Sequence, residues 1–248
     1  MDVKEKIREY WDSRCTSYDR SPGHSSLPEV WKDFLGNLFE RRMRILDVGT
    51  GTGFIALLLA ELGHEVVGLD ISEGMLGVAR EKAKKAGLDV DFQLGDAENL
   101  PFNDASFDAV ICRHLLWTLP NPEKAVREWV RVVGDGGRVV VIDGRWLPTS
   151  PRARFRRLVG RIGVAIYERR NPWKNYHYRR EINRMLPFYG GSEPEKVVEL
   201  FERAGMKDVS VMDLSWIREK VLENQPFVYR LAWSKEYFAV TGLKEVVP

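Results

Sequence analysis

The chain has 248 residues, 44% of them apolar and 30% charged, with a net charge of +2, which is the profile of an ordinary globular protein with ample core. No apolar run approaches the roughly 20 residues of a membrane span, and Cys15 and Cys112 are too few and too far apart for a disulfide framework or a thiolate metal site. His24, His64, His114 and His177 share no ligand spacing, and the opening MDVKEKIREY has no apolar signal core, so a reduced, cytoplasmic, metal-free protein is expected.

Residues 3–18 read as a helix with Val3, Ile7, Tyr10 and Trp11 on one face, and a second helix runs from about Leu27 to Phe39 with Pro28 in its first turn. Arg44–Val48 is a short buried strand ending in Gly49-Thr50-Gly51-Thr52-Gly53. A helix follows, with Ile55, Leu58, Leu59 and Leu62 at helical spacing. Glycines at such a turn let the backbone pass close to a ligand because no Cβ intervenes, and the helix start beyond them offers unpaired N–H groups. This is a nucleotide-type turn of an α/β sheet. A dinucleotide fingerprint needs a glycine at position 54, where Phe54 stands. A tight connection with no ligand remains the alternative.

A second strand, Glu65–Asp70, ends on a carboxylate 21 residues beyond Gly49, placed to accept from a ribose diol. Ser72 then caps a helix that stops at Gly87. The third strand, Val90–Leu94, runs into GDAENLPF, Gly95–Phe102. The fourth, Phe107–Cys112, leads through Arg113 and His114 to a helix over 122–133. His114 reads either as a group that orients a substrate or takes its proton, or as a ring packed under the loop. A fifth strand spans Arg138–Asp143, and residues 144–192 then break the strand–helix rhythm. After them come a helix over 194–204, a strand over 208–214 and a last strand over 227–233.

Charge is concentrated in one segment. Residues 152–184 hold eleven Arg or Lys against two Glu, while the rest of the chain has 27 basic and 34 acidic residues. Within it the apolar positions 155, 158, 159, 162, 165 and 166 form one helical face, expected to lie on the sheet edge with Arg152, Arg156, Arg157 and Arg161 on the other side. Those arginines either sit in water, recognise an anionic acceptor, or meet a nucleic acid or membrane surface. A pI near 8.5 with no recognisable RNA module makes nucleic acid the weaker choice.

Four stretches carry a resemblance: D-x-G-x-G-x-G at Asp47–Gly53, GDAENLPF, WVRVVGDGGRVVVID and YWDSRCTSYDR. Together they resemble the class I S-adenosylmethionine (SAM) methyltransferases, nearest the ubiquinone/menaquinone-type group that acts on small molecules. The resemblance implies a Rossmann-like α/β fold with a seven-stranded mixed sheet, its last strand antiparallel, and helices on both faces. Within one domain it implies a helical cap at 1–40, a cofactor core at 41–143, a lid inserted after strand 5 at 144–192, and a closing helix and hairpin at 193–248. It implies SAM, with S-adenosylhomocysteine as product, bound by Asp47, Gly49, Thr50, Gly51, Gly53, Asp70, Ile71, Met75, Asp96, Ala97, Glu98 and Arg113. Asp96 and Ala97 would meet the adenine. Tyr18 would lie near the cofactor or the acceptor mouth. Catalytic candidates are His114, Tyr18 and His177, and the expected partner is a small-molecule acceptor, anionic if the basic insertion reads it. No D/N-P-P-Y/F follows strand 4 and no Pro-Cys nucleophile occurs, which argues against amide and cytosine-5 methylation. Still open are a nicotinamide oxidoreductase, a methyltransferase acting on nucleic acid or protein, and a binding protein without catalysis. The oligomeric state cannot be read from these residues.

Overall fold

The computed structural model describes residues 2–21, 23–148, 150–169 and 180–246. In chain order these form α1 (Val3–Arg14), α2 (Pro28–Leu38), β1 (Arg44–Val48), α3 (Phe54–Glu61), β2 (Glu65–Asp70), α4 (Glu73–Ala86), β3 (Asp91–Leu94), β4 (Phe107–Arg113) and α5 (Pro122–Val132). There follow β5 (Val133–Gly144), α6 (Pro151–Tyr167), α7 (Arg180–Asn183), α8 (Pro194–Arg203), β6 (Lys207–Asp213), α9 (Ser215–Glu223), α10 (Phe227–Ala232) and β7 (Tyr237–Leu243).

The strands make one seven-stranded sheet in the order β3-β2-β1-β4-β5-β7-β6. The first five are parallel, and β7 inserts antiparallel between β5 and β6. Central strands buried on both faces should be apolar throughout, and alternate residues do divide between two cores. Leu46, Val48, Val110, Val139 and Val141 pack with Trp129 of α5 and Phe201 of α8. Ile45, Ala109, Ile111, Val140 and Ile142 pack with Trp31 of α2, Leu59 of α3, Leu76 of α4 and Ile217 of α9. Helices therefore cover both faces, and every β-to-α turn of the parallel strands opens at one edge.

Two expectations change. The last strand is Tyr237–Leu243, and 227–232 is helical instead. The run FVYRLAW is rich in strand-formers, but Tyr229 and Ala232, three apart, bury one helical face together with Val164 of α6. Tertiary packing overrides the local preference. The second change concerns α6, whose expected apolar face points outward except at Ala165. Phe155 and Ile166 are 69% and 73% exposed. The buried side carries Gly160, Val164 and Ala165, and at Gly160 the absence of a side chain lets α10 approach: a Cβ there would lie 2.3 Å from the Ala232 nitrogen. Close backbone approach, not hydrophobicity, selects the packed face.

Candidate active site

The turn after β1 is held by backbone bonds. The Gly49 and Thr50 N–H groups donate to the Leu69 carbonyl at 2.7 and 3.0 Å. Asp47 lies beneath and accepts from Thr50 Oγ1 at 2.7 Å and from the Ala56 N–H at 3.1 Å. Burial pushes its carboxyl up to about 7. Gly51 has φ +56°, and a Cβ there would meet nothing within 4 Å, because the residue faces open space. At the end of β2, Asp70 accepts from the Gly51 N–H at 2.8 Å and the Ser72 N–H at 2.9 Å, one on each oxygen. Burial raises its carboxyl to about 6 although the backbone donors of Ser72, Gly51 and Ile71 pull the other way. Each oxygen keeps a lone pair for a further donor.

These groups wall a cavity of about 70 Å³. Gly49, Gly51, Asp70, Ile71 and Met75 line one side, and Asp96, Ala97 and Glu98 the other, with Arg113, His114 and Tyr18 at the end. Asp47, Thr50 and Gly53 do not line it. The first two brace the turn from below, and Gly53 begins α3 against Ala79 and Phe92. The cavity is narrow because α1 lies across it. Lys4 Nζ pairs with Asp96 and Glu98 at 2.6 Å each, and Asp12 accepts from Ser72 Oγ and the Gly74 N–H at 2.6 and 3.0 Å.

A second cavity, about 300 Å³, adjoins the first and shares Trp11, Tyr18 and His114 with it. Its walls are aromatic, with Tyr10, Trp117, Trp146 and Trp233, and basic, with Arg14, Arg157 and Arg218. At the junction the Tyr18 ring stacks on His24 at 4.1 Å, and His24 Nδ1 meets the Tyr18 carbonyl at 2.9 Å. Burial pushes His24 down to about 4 and raises the Tyr18 hydroxyl. Arg113 donates to the His24 carbonyl and lies over the Phe54 ring at 4.7 Å. His114 has φ +60°, its N–H donates to the Ile142 carbonyl at 2.9 Å, and its ring meets Trp146 edge-on at 4.8 Å. Its Nε2 is buried with no hydrogen-bond partner among the described residues. Burial, with Arg113 beside it, holds the imidazole well below its ordinary value, so at neutral pH it is an unprotonated base.

The junction unites His114 and Tyr18, whereas His177, with Trp173, Tyr176 and Tyr178, lies outside the described residues. Sequence reasoning missed His24, Trp146 and Arg218. For Arg218 a signal existed. It falls four residues after Leu214 and three and four before Val221 and Leu222, on the buried stripe of α9. An arginine there is out of place in a simple amphipathic helix.

A family model described as a methyltransferase domain matches residues 46–141. The demethylmenaquinone methyltransferase of Listeria welshimeri is 34% identical over 220 residues, which cover 83% of this chain and 89% of that protein. This chain belongs to the class I SAM-dependent methyltransferases. The demethylmenaquinone methyltransferase of Thermus thermophilus is 41% identical over 150 residues, spanning 60% of this methyltransferase but only 58% of the relative's own length. Among solved structures, phosphoethanolamine N-methyltransferase 2 of Haemonchus contortus, in complex with SAM, has a TM-score of 0.68 at 18% identity. The likeness covers 97% of this chain and 60% of that one, and it is a likeness of fold. No described helix is long and apolar enough to cross a membrane, and no cluster of metal-ligating side chains occurs among the described residues.

Proposed function

We propose that the protein transfers a methyl group from SAM to a small-molecule acceptor, an anionic one, bound in the larger cavity. The observation that carries this reading is the contact of two cavities at Tyr18 and His114, one ringed by the glycine turn, Asp70 and Asp96, the other aromatic and basic. The narrower one fits the cofactor by its donor set. Asp70 has a free lone pair on each oxygen for the ribose, and the open space at Gly51 is what a bound group would fill. The family resemblance assigns the adenine to the Asp96 carboxylate and the Ala97 N–H, and both residues line this cavity. When bound, SAM supplies a sulfonium methyl that needs no further activation.

The protein's own work is then alignment and exclusion of water. Trp11, Tyr18 and His114 wall the passage between the cavities, α1 covers the cofactor side, and the helix α6 borders the acceptor side as a lid. An acceptor nucleophile that carries a proton can release it to His114 Nε2, which is neutral and unpartnered. Tyr18, with its hydroxyl pKa raised, stays protonated and orients rather than accepts. The relatives named demethylmenaquinone methyltransferases make a small acceptor the natural class. A cavity of about 300 Å³ favours it over a nucleic acid or a protein.

Calorimetry with SAM and with NAD tests the cofactor. SAM should bind and NAD should not. Incubation with methyl-labelled SAM and a fractionated cell extract then tests the acceptor class. Label in the low-molecular-weight fraction supports the reading, and label confined to protein or nucleic acid contradicts it.

A further inference from the structure

In the larger cavity the charge of Arg218 is offset by no carboxylate among the described residues. Arg218 on α9 is 9% exposed. Its guanidinium lies over the rings of Trp233, Trp146 and Tyr237 at 4.8, 5.5 and 5.9 Å. Its only hydrogen bond to a described residue is a long one, from Nε to the Ser234 carbonyl at 3.4 Å. It forms no ion pair with any described residue. Arg157 reaches in from α6 on the other side of Trp146 and donates through Nη1 to the Trp146 carbonyl at 2.6 Å. No carboxylate stands among the described residues that line this cavity.

A buried guanidinium without a counter-ion loses its water and gains nothing in exchange. The three rings around Arg218 recover part of that loss through cation–π contacts, yet they leave the two Nη groups with hydrogens to donate. Burial holds both arginines below their ordinary value, with Arg161 adding to the effect at Arg157 and Arg113 contributing at Arg218. Both are environments in which the missing component is an anion. A guanidinium fork matches a carboxylate or a phosphate in two parallel hydrogen bonds. The rest of the wall is flat and apolar, with Tyr10, Trp11, Trp117 and Trp146, which suits a ring system better than a flexible polar chain.

We propose that the larger cavity binds an aromatic acceptor carrying one anionic oxygen group, carboxylate or phosphate, with Arg218 as its specificity-determining partner and Arg157 alongside. The proposal rests on the methyl-transfer reading of the site. It goes beyond that reading in naming the shape, the charged group and the residue that selects it. The anion is held by Arg218, and the nucleophile is whichever part of the acceptor reaches Tyr18 and His114. Arg218 lies outside the basic insertion, so the arginines of 152–169 are not the whole of the anion-reading device.

The test titrates three probes, 2-naphthoate, 2-naphthyl phosphate and 2-naphthamide, into protein saturated with S-adenosylhomocysteine, following tryptophan fluorescence. At least one anion should bind about tenfold or more tighter than the uncharged amide, the scale of one charge-assisted hydrogen bond. Whichever anion is preferred names the group. In Arg218→Gln the preference should vanish while S-adenosylhomocysteine affinity is kept. If that variant fails to fold, Arg157→Gln, closer to the surface, should reduce the preference several-fold. Equal binding of anion and amide, no binding of any probe, or an undiminished preference in a folded Arg218→Gln variant would each overturn the proposal. Titration of S-adenosylhomocysteine alone separates the two readings. If it does not bind, the methyl-transfer reading fails. If it binds and the probes show no preference, only the anion site fails.

Discussion

Between Arg44 and Asp143 the site is walled largely by backbone and strand ends, whereas beyond Gly144 it is walled by side chains from separate elements. On the first side the Gly51 N–H, the Asp70 carboxylate and the Leu69 carbonyl are fixed within the β1–β2 pair. On the second, Trp146 follows β5, Arg157 sits on α6, Arg218 on α9 and Trp233 after α10. A backbone-built wall admits one ligand shape and tolerates little change. A side-chain wall can be rewritten residue by residue while the other half is left intact. One fold can thus keep its cofactor and exchange its acceptor.

The sharpest break of that contrast is Gly51→Val. Its φ of +56° is unfavourable for a β-branched residue, and the new side chain would enter the cavity. SAM affinity should fall at least about a hundredfold, because a filled site leaves no alternative pose. Far-ultraviolet circular dichroism should stay unchanged. Wild-type affinity by calorimetry would reduce the turn to a structural connection.

Asp70→Ala comes next. A charge-assisted hydrogen bond is worth roughly 1.5–3 kcal/mol, so SAM affinity should drop by one to two decades. The same carboxyl makes a pH prediction. Its folded value of about 6 means it is ionised above that pH and protonated below. Protonation removes acceptor capacity, so SAM binding should weaken as pH falls through 6, by at most about tenfold per pH unit for one linked proton. Calorimetry between pH 5 and 8 reads this directly, and a flat profile would separate Asp70 from the ligand.

On the acceptor side, Gly160→Ala forces a Cβ to within 2.3 Å of the Ala232 backbone. Overpacking of this kind costs about 1–3 kcal/mol. The melting temperature should fall and acceptor KM should rise, with SAM affinity held. A drop in SAM affinity instead would mean that the two halves are coupled. The smallest effect is expected from Lys4→Met. A partly exposed ion pair contributes about 0–1 kcal/mol, so freeing Asp96 and Glu98 should speed SAM association by no more than a few-fold. Slower association in stopped flow would mean that Lys4 guides the cofactor and does not latch the cavity.

The same contrast decides what could be read without a structure. The place of Asp70 was legible because a strand end fixes where a carboxylate lies, that of Gly49 and Gly51 because they follow β1, and that of Asp96 only through the resemblance carried by GDAENLPF. His114 was placed at the right edge, although its position between the two cavities and its unprotonated ring depend on Trp146 and on burial, which no local pattern carries. Arg218 was missed because its meaning comes from Trp146, Trp233 and Tyr237, all distant in sequence. Most of the α6 stripe lies outward, against expectation, because the packed face is set by Gly160, whose importance lies in how near α10 comes. FVYRLAW read as a strand for a similar reason, since its partner surface on α6 is not local.

On the proposed reading, the methyl group passes where the two adjoining cavities meet. A crystal structure with S-adenosylhomocysteine tests it most directly. The ribose hydroxyls should lie on Asp70 and the adenine beside Asp96 and Ala97, with the sulfur turned toward Tyr18, His114 and the larger cavity. A ligand lodged in the larger cavity, or one whose sulfur faces away from that junction, would contradict the account.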